Sequence, residues 1–413
     1  MDWETLIFKK TDLLVEEGLN GKILFADDKL SAATPNETID CENKIVTKSF
    51  VIGHHHVYSA LSRGMGAPKK NPENFVEILK YIWWTLDKSL DREMIEASAL
   101  STAIACAKAG STFVIDHHAS PNAVSGSLEI IAKAFDKVGV SHLLCYEISD
   151  RDGLDIADQG LLETEEYLKN HQGLIGLHAS FTVGDRTLQK AAALMQKYNS
   201  GFHIHVAEDT YDEAFTQKKY GKNIMQRLKE TGALNSSQTI LGHCLHLSDK
   251  EIKMVRHSKA WVVQNTESNL NNHVGFFDGS NLGNRIMFGT DGMHSNMIRS
   301  AQQAFFVGQT FDNIDFVSAY QRFRNAHNYL RENSFKGDGE NNLVVLDYKS
   351  PTPVTSDNFL GHFIFGLQSS DVQHLIANGK LIIKDKVVKT INEEEVLTFS
   401  RDQATRLWKK MQQ

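Results

Sequence analysis

Histidines and carboxylates gather at four points of this chain in patterns that suit metal-assisted chemistry. The first is Gly53-His54-His55-His56. Alternate side chains of an extended strand share a face, so His54 and His56 stand about 7 Å apart along the backbone and can turn onto one ion. His55 points the other way, into the surrounding helices or loop. The second is His203-Ile204-His205-Val206-Ala207-Glu208. His203 lies on the face of His205 one layer deeper and reads as a packed core histidine, whereas Glu208, beside a candidate ligand, suits acid–base work. Leu241-Gly242-His243-Cys244 and Phe288-Gly289-Thr290-Asp291-Gly292 complete the set. Each alone has an ordinary explanation: a solvated histidine cluster, a helix start, a core histidine, a turn. Together they offer nitrogen and oxygen donors suited to Zn²⁺ or Fe²⁺, with a coordination position left for water.

Such a set works only if a fold brings it to one place. Eight short apolar runs punctuate the chain at 51–56, 112–119, 141–148, 173–180, 202–208, 239–245, 260–265 and 285–291. Each is short enough for a strand buried on both faces. Helix-like stretches alternate with them, including 92–108, 185–198, 221–230 and 249–257. Eight strands with helical crossovers predict an α/β fold, a (β/α)8 TIM barrel, which typically uses about 250 residues. A doubly wound open sheet is the alternative, but no glycine-rich nucleotide turn follows the first strand. On the barrel reading His54, His56, His205, His243 and Asp291 all fall at or near strand C-termini, the end where barrel enzymes gather their chemistry.

The ends read differently. Short β-like pieces at 6–8, 22–25 and 44–47 precede the barrel; others follow at 343–348, 372–377 and 380–383, with Asn378-Gly379 as a hairpin turn. Residues 1–50 and 343–413 are therefore expected to form a small β-sandwich with a final amphipathic helix over 393–411. Residues 51–342 are expected to form the barrel.

Composition removes other classes of function. With 44 Lys+Arg against 51 Asp+Glu the chain carries a formal charge of −7. There is no basic run for nucleic acid or an anionic membrane. Apolar residues make up 41% and charged residues 23%, a globular balance rather than a disordered one. No apolar stretch reaches the about 18 residues of a membrane span. The N-terminus lacks a signal peptide's pattern. Cys41, Cys106, Cys145 and Cys244 are widely spaced, as expected of reduced thiols in the cytoplasm.

The ordered motifs HxH, HxxE, a lone His and Thr-Asp-Gly resemble the amidohydrolase superfamily. The resemblance runs from Ile39-Asp40-Cys41 to Leu407-Trp408. The fourth strand carries His178-Ala179-Ser180 and no lysine that could bridge two metals, which implies the mononuclear, deaminase-type branch. Within it, several segments are similar to the SsnA-type aminohydrolases. They include His54-His55-His56-Val57-Tyr58-Ser59, Ser62-Arg63-Gly64, Trp83-Trp84-Thr85-Leu86-Asp87, Ile115-Asp116-His117-His118, Thr352-Pro353 and Gly361-His362-Phe363-Ile364-Phe365-Gly366. The chain departs from that pattern at Lys48-Ser49-Phe50-Val51, in a shorter N-terminal region, and at Gln264-Asn265-Thr266-Glu267-Ser268-Asn269.

The resemblance implies one divalent ion, zinc ahead of iron, on His54, His56, His205 and Asp291. It implies a small-molecule substrate handled by a monomer or homodimer. Asp291 would take the proton of the attacking water, Glu208 would carry protons to the substrate and the departing amine, and His243 would stabilise the oxyanion. His117 or His118, His178, Asn265, Ser268 and Asn269 are expected at the substrate rim. Arg63 reads as a brace for the loop after the first strand, with a substrate anion as the alternative. Trp83-Trp84 reads as core packing, with an aromatic lid as the alternative. Three functions stay open: a deaminase of a heterocyclic amidine, a hydrolase of an amide or carbon–halogen bond, and a barrel that holds metal without turnover.

Overall fold

The computed structural model describes residues 13–15, 22–25, 37–41, 44–339, 342–355 and 357–413. Three short strands, β1 (Leu13–Val15), β2 (Lys22–Phe25) and β3 (Glu37–Asp40), pair antiparallel in that order. The piece expected at 6–8 lies outside the described residues. Next, β4 (Ile45–Lys48) leads into eight strands: β5 (Phe50–His55), β6 (Ser111–Asp116), β7 (Ser141–Leu143), β8 (Ile175–Ala179), β9 (Phe202–Val206), β10 (Ile240–His243), β11 (Trp261–Gln264) and β12 (Ile286–Phe288). Neighbours pair in parallel, with β5-β6-β7 and β8 through β12 as continuous ladders.

Isolated parallel bridges join the two ladders. Leu144 to Gly173 and Ile148 to Leu177 link the region after β7 to β8, and His55 to Asp291 links the first strand to the last. The ring is closed: the fold is the TIM barrel expected. Its strands are apolar on both faces because helices wrap the outside while side chains fill the inside. Glycine matters where strands crowd: a Cβ on Gly53 would stand 2.6 Å from the Phe288 carbonyl oxygen.

The run at 141–148 keeps a regular ladder for only three residues. Beyond Leu143 its backbone alternates between two neighbours, since His118 bridges Tyr146 while Leu144 and Ile148 bridge toward β8. That irregular stretch carries Glu147 to the barrel mouth.

After the barrel come β13 (Leu343–Leu346), β14 (Val372–Ala377), β15 (Lys380–Lys384) and β16 (Val387–Val388). They form a five-stranded antiparallel sheet in which β13 pairs with β4, so both ends of the chain build it. Ile39 on β3 packs with Leu343, Val345 and Ile376, which lays the first sheet against the second. Asn378 and Gly379 both take positive φ, 50° and 74°, as a two-residue hairpin of the primed type requires. Arg324 ties this sheet to the barrel: its guanidinium donates to the Lys48 and Ser49 carbonyls and to Thr47 Oγ1. The helix Glu393–Met411 closes over the outside, with Asn392 as its N-cap. No helix among the described residues is long and apolar enough to cross a membrane.

Candidate active site

The four motifs meet at the C-terminal mouth of the barrel. His56 Nε2 lies 3.2 Å from His205 Nε2 and 3.1 Å from Asp291 Oδ1, and His54 Nε2 lies 3.8 Å from the same oxygen. His243 Nε2 stands 3.6 Å from Asp291 Oδ2 and 3.4 Å from Glu208 Oε2. All six side chains are buried or nearly so.

Local backbone accounts for the convergence. Ala207, His243, Cys244 and Asp291 adopt left-handed φ of 47°, 68°, 57° and 52°. Each such non-glycine residue costs on the order of 1 kcal/mol, and strain of this kind collects at functional sites. Ala207 turns the chain after β9 so that Glu208 lies back across the mouth. Asp209 then caps the helix Thr210–Tyr220 by accepting from Tyr211 N. The glycine of the Phe-Gly-Thr-Asp-Gly segment is needed for space: a Cβ on Gly289 would stand 2.3 Å from Asn265 Oδ1 and 2.8 Å from His54 Cβ.

Outer partners set the tautomers. His56 Nδ1 donates to the His117 carbonyl at 2.7 Å, and His205 Nδ1 to the His178 carbonyl at 2.8 Å. A carbonyl only accepts, so each neutral ring keeps its lone pair on Nε2, aimed at the centre. His54 Nδ1 meets His203 Nε2 at 2.8 Å, leaving His54 Nε2 buried without a partner. His243 Nδ1 bonds Asn269 Oδ1 at 2.8 Å, and its Nε2 is also unpartnered. Two facing ring nitrogens and two orphaned buried ones are costly unless a proton or a cation sits among them. Candidate ligand atoms of His54, His56 and His205, and of His54, His243 and Asp291, fall within 4.8 Å of one another. The residues fit a divalent ion.

Charge follows from the same packing. Burial would pull the His56 pKa down, but its hydrogen bond to Asp291 outweighs that and raises it to about 9. Burial would push Asp291 up, yet His56, His243 and His205 hold its carboxyl well below the usual range. Proton and cation compete for the His56 lone pair, so metal loading releases a proton. Burial pushes the Glu208 carboxyl upward; His243 pulls it back and the Asp291 charge adds to the rise. A carboxyl with a raised pKa is suited to carrying a proton near neutral pH.

The pocket over these groups is walled by Tyr58, Leu79, Trp83, Trp84, Glu147, Arg151, His178, Ser268 and Asn272. His178 and Ser268 thus stand on the expected rim. The other four expected contacts lie behind it. His117 is fully buried, with Nε2 shared between the Leu177 and His203 carbonyls at 3.1 Å. His118 turns away to Ser120 Oγ, Asn269 orients His243, and Asn265 is buried with neither amide atom partnered. His117, His118 and Asn265 follow strands as expected and Asn269 lies in the helix Thr266–Asn271, but all four side chains are buried.

The tryptophans serve both roles. A π-helical turn, Leu79–Trp83, is inserted before the helix Trp84–Ser89, and both indoles pack against buried cores, as expected, while also lining the pocket. Glu147 and Arg151 escaped the sequence reading altogether. Arg151 lies over the Trp84 ring at 5.1 Å, pairs closely with Asp87, and has Asp152 at 3.1 Å and Glu147 at 3.6 Å. A charged residue inside the apolar run 141–148 was the available signal for Glu147; Arg151 sits in a loop with none.

Known proteins carry the same design. The amidohydrolase family matches residues 45–329. This chain belongs to the amidohydrolase family. A 5-methylthioadenosine/S-adenosylhomocysteine deaminase of Syntrophomonas wolfei is 25% identical over 404 residues, covering 89% of this chain and 88% of its own. A 5'-deoxyadenosine deaminase of Methanococcus maripaludis is 26% identical over 418 residues, covering 95% and 96%. Among solved structures, a zinc-bound adenosine deaminase of Xanthomonas campestris superposes with a TM-score of 0.75 at 18% identity, over 88% of this chain and 86% of that one. The zinc-bound atrazine chlorohydrolase of Arthrobacter aurescens reaches 0.77 at 14% identity, over 95% and 94%. The amidohydrolase chain described here is a metal-dependent hydrolase of carbon–nitrogen bonds other than peptide bonds, of the deaminase kind.

Proposed function

We propose that this amidohydrolase removes the exocyclic amine of an adenosine-type nucleoside, consuming water and releasing ammonia. His54, His56, His205 and Asp291 would hold one divalent ion, zinc ahead of iron. When bound, such an ion would lower the pKa of a coordinated water toward neutrality. Asp291 takes the proton of the attacking water. Glu208 donates a proton to the ring nitrogen beside the attacked carbon and later carries one to the departing amine. His243 orients Glu208 and Asp291 and steadies the developing negative charge. Tyr58, Trp83 and Trp84 offer aromatic surface to a flat heterocycle.

The observation that carries this reading is the meeting of Glu208 Oε2 and Asp291 Oδ2 on one nitrogen, His243 Nε2, at 3.4 and 3.6 Å. That proximity supports reading Glu208 as the proton carrier and Asp291 as the water-activating carboxylate of one reacting space. The relatives' names supply the adenosine-type substrate. Ammonia release by zinc-loaded protein across adenosine, 5'-deoxyadenosine and 5-methylthioadenosine tests it. Ammonia from at least one is expected; none from all three overturns it.

We assign residues 51–342 to the catalytic barrel and residues 1–50 with 343–413 to the supporting sandwich. The pairing of Ile45–Lys48 with Leu343–Leu346 supports that division. Cytoplasmic residence accords with the buried, unbridged thiols of Cys106, Cys145 and Cys244.

A further inference from the structure

The reaction pocket has a volume of only about 40 Å³, room for a few waters and far too little for a purine. A wall must therefore give for a substrate of the proposed kind to enter. Trp83 is the wall with space behind it. Its half-buried indole borders the reaction pocket on one side and a groove of about 470 Å³ on the other, and Asn272 lines both. The six-membered edge of the indole crosses Gly292, where a Cβ would stand 2.9 Å from Trp83 Cη2. No side chain on Gly292 obstructs that edge.

The groove differs in charge from the pocket. The reaction pocket is lined by Glu147, Glu208 and Asp291. The groove is lined by no Asp or Glu, and by Ser59, Ile82, Asn271, Met293 and His294 with Arg63. His294 is engaged by Glu267 at 2.5 Å. Arg63 is exposed and makes no hydrogen bond or ion pair with the described residues, so it does not brace the loop as its position suggested. An unengaged guanidinium over a cavity free of carboxylates favours an anion.

We infer that the groove behind Trp83 is the second half of the substrate site and receives an acidic tail, a carboxylate or phosphate, on Arg63. This rests on the nucleoside reading above and extends it. The heterocycle lies over Glu208 and Asp291, the chain of the substrate passes the displaced Trp83 edge beside Asn272, and the anion meets Arg63.

The test compares kcat/KM of the zinc-loaded protein for 5'-deoxyadenosine, which is neutral, with S-adenosylhomocysteine, which ends in a carboxylate, and adenosine 5'-monophosphate, which ends in a phosphate. The two acidic compounds tell which anion the groove takes. Arg63→Gln is expected to lower the acidic-to-neutral ratio about tenfold, the scale of one charge-assisted contact, with partial recovery in Arg63→Lys. Raising NaCl should lower the ratio in the wild type and leave it flat in Arg63→Gln. A ratio that moves less than about twofold, or a wild type that accepts only the neutral compound, overturns the inference. If no compound yields ammonia, the aminohydrolase reading falls, and calorimetric Kd values for the same compounds decide the groove separately. A Kd ratio lowered in Arg63→Gln supports it, and equal Kd values in the two proteins overturn it.

Discussion

His203 Nε2 lies 2.8 Å from His54 Nδ1, one layer below the reacting centre, with its own Nδ1 3.6 Å from Cys145 Sγ. The deeper histidine is therefore a positioning residue for the ring above it. It fixes which His54 nitrogen carries the proton, and so which one can face an ion. Replacing His203 by Phe keeps the bulk and removes that partner. A loss of metal affinity of about 10- to 100-fold is expected, read by competition with a chelator. Unchanged affinity would return His203 to simple packing.

Glu208 separates metal binding from turnover. It contributes no atom to the candidate ligand groups, yet lies 3.4 Å from His243 Nε2. Glu208→Gln should leave zinc content near that of the wild type while lowering kcat by about 10²- to 10⁴-fold. Metal analysis and ammonia release on the same preparation check both halves.

Crowding at Gly289 makes a stability prediction. A methyl there meets Asn265 Oδ1 and His54 Cβ at distances no relaxed structure tolerates. Gly289→Ala should destabilise the barrel by about 1–3 kcal/mol, visible as a lower Tm, and should weaken metal binding by shifting His54. A Tm equal to the wild type would show that the strand gives way without cost.

Two buried imidazoles set one part of the pH dependence of the metal-free chain. Burial lowers His118 to about 3 and His178 to about 4. An unfolded histidine titrates near 6.5, so between that pH and about 4 the unfolded chain binds protons that the native chain does not. The contribution of these two histidines is thus complete above pH 6.5 and falls as the pH drops, by up to about 1.4 kcal/mol per pH unit for each. His118→Phe keeps a ring between Tyr58 and Tyr146 and removes one of these protons. Its denaturant midpoint should fall less steeply from pH 6.5 to 5 than that of the wild type. Equal slopes would mean that His118 is protonated in the folded state.

The barrel and the meeting of its motifs were legible because buried parallel strands are near-continuous apolar runs, and motifs at their ends inherit the geometry of the mouth. Phe202–Val206 and Ile240–His243 lie within the runs expected of them. The pocket walls were less legible. His117 and Asn265 depend on which way each side chain turns beyond its strand end, which sequence spacing does not carry. The tryptophans depend on a π turn, which brings Trp84 to the side shared by Leu79 and Trp83 where an ordinary helical period would turn it away. Arg151 depends on three acidic neighbours distant or adjacent in sequence, and none marks it as a wall of the pocket.

The closing seam between β5 and β12 has a consequence for how the molecule breathes. Thr290 N and Asp291 N both donate to the His54 carbonyl, at 3.0 and 3.2 Å, and His56 N donates back to the Asp291 carbonyl at 3.3 Å. The residues that would grip the ion are thus also the stitches that fasten the first stave of the barrel to the last. Cofactor capture and closure of the cylinder share one clasp, and stripping the ion should loosen the hoop along that line before any helix lets go.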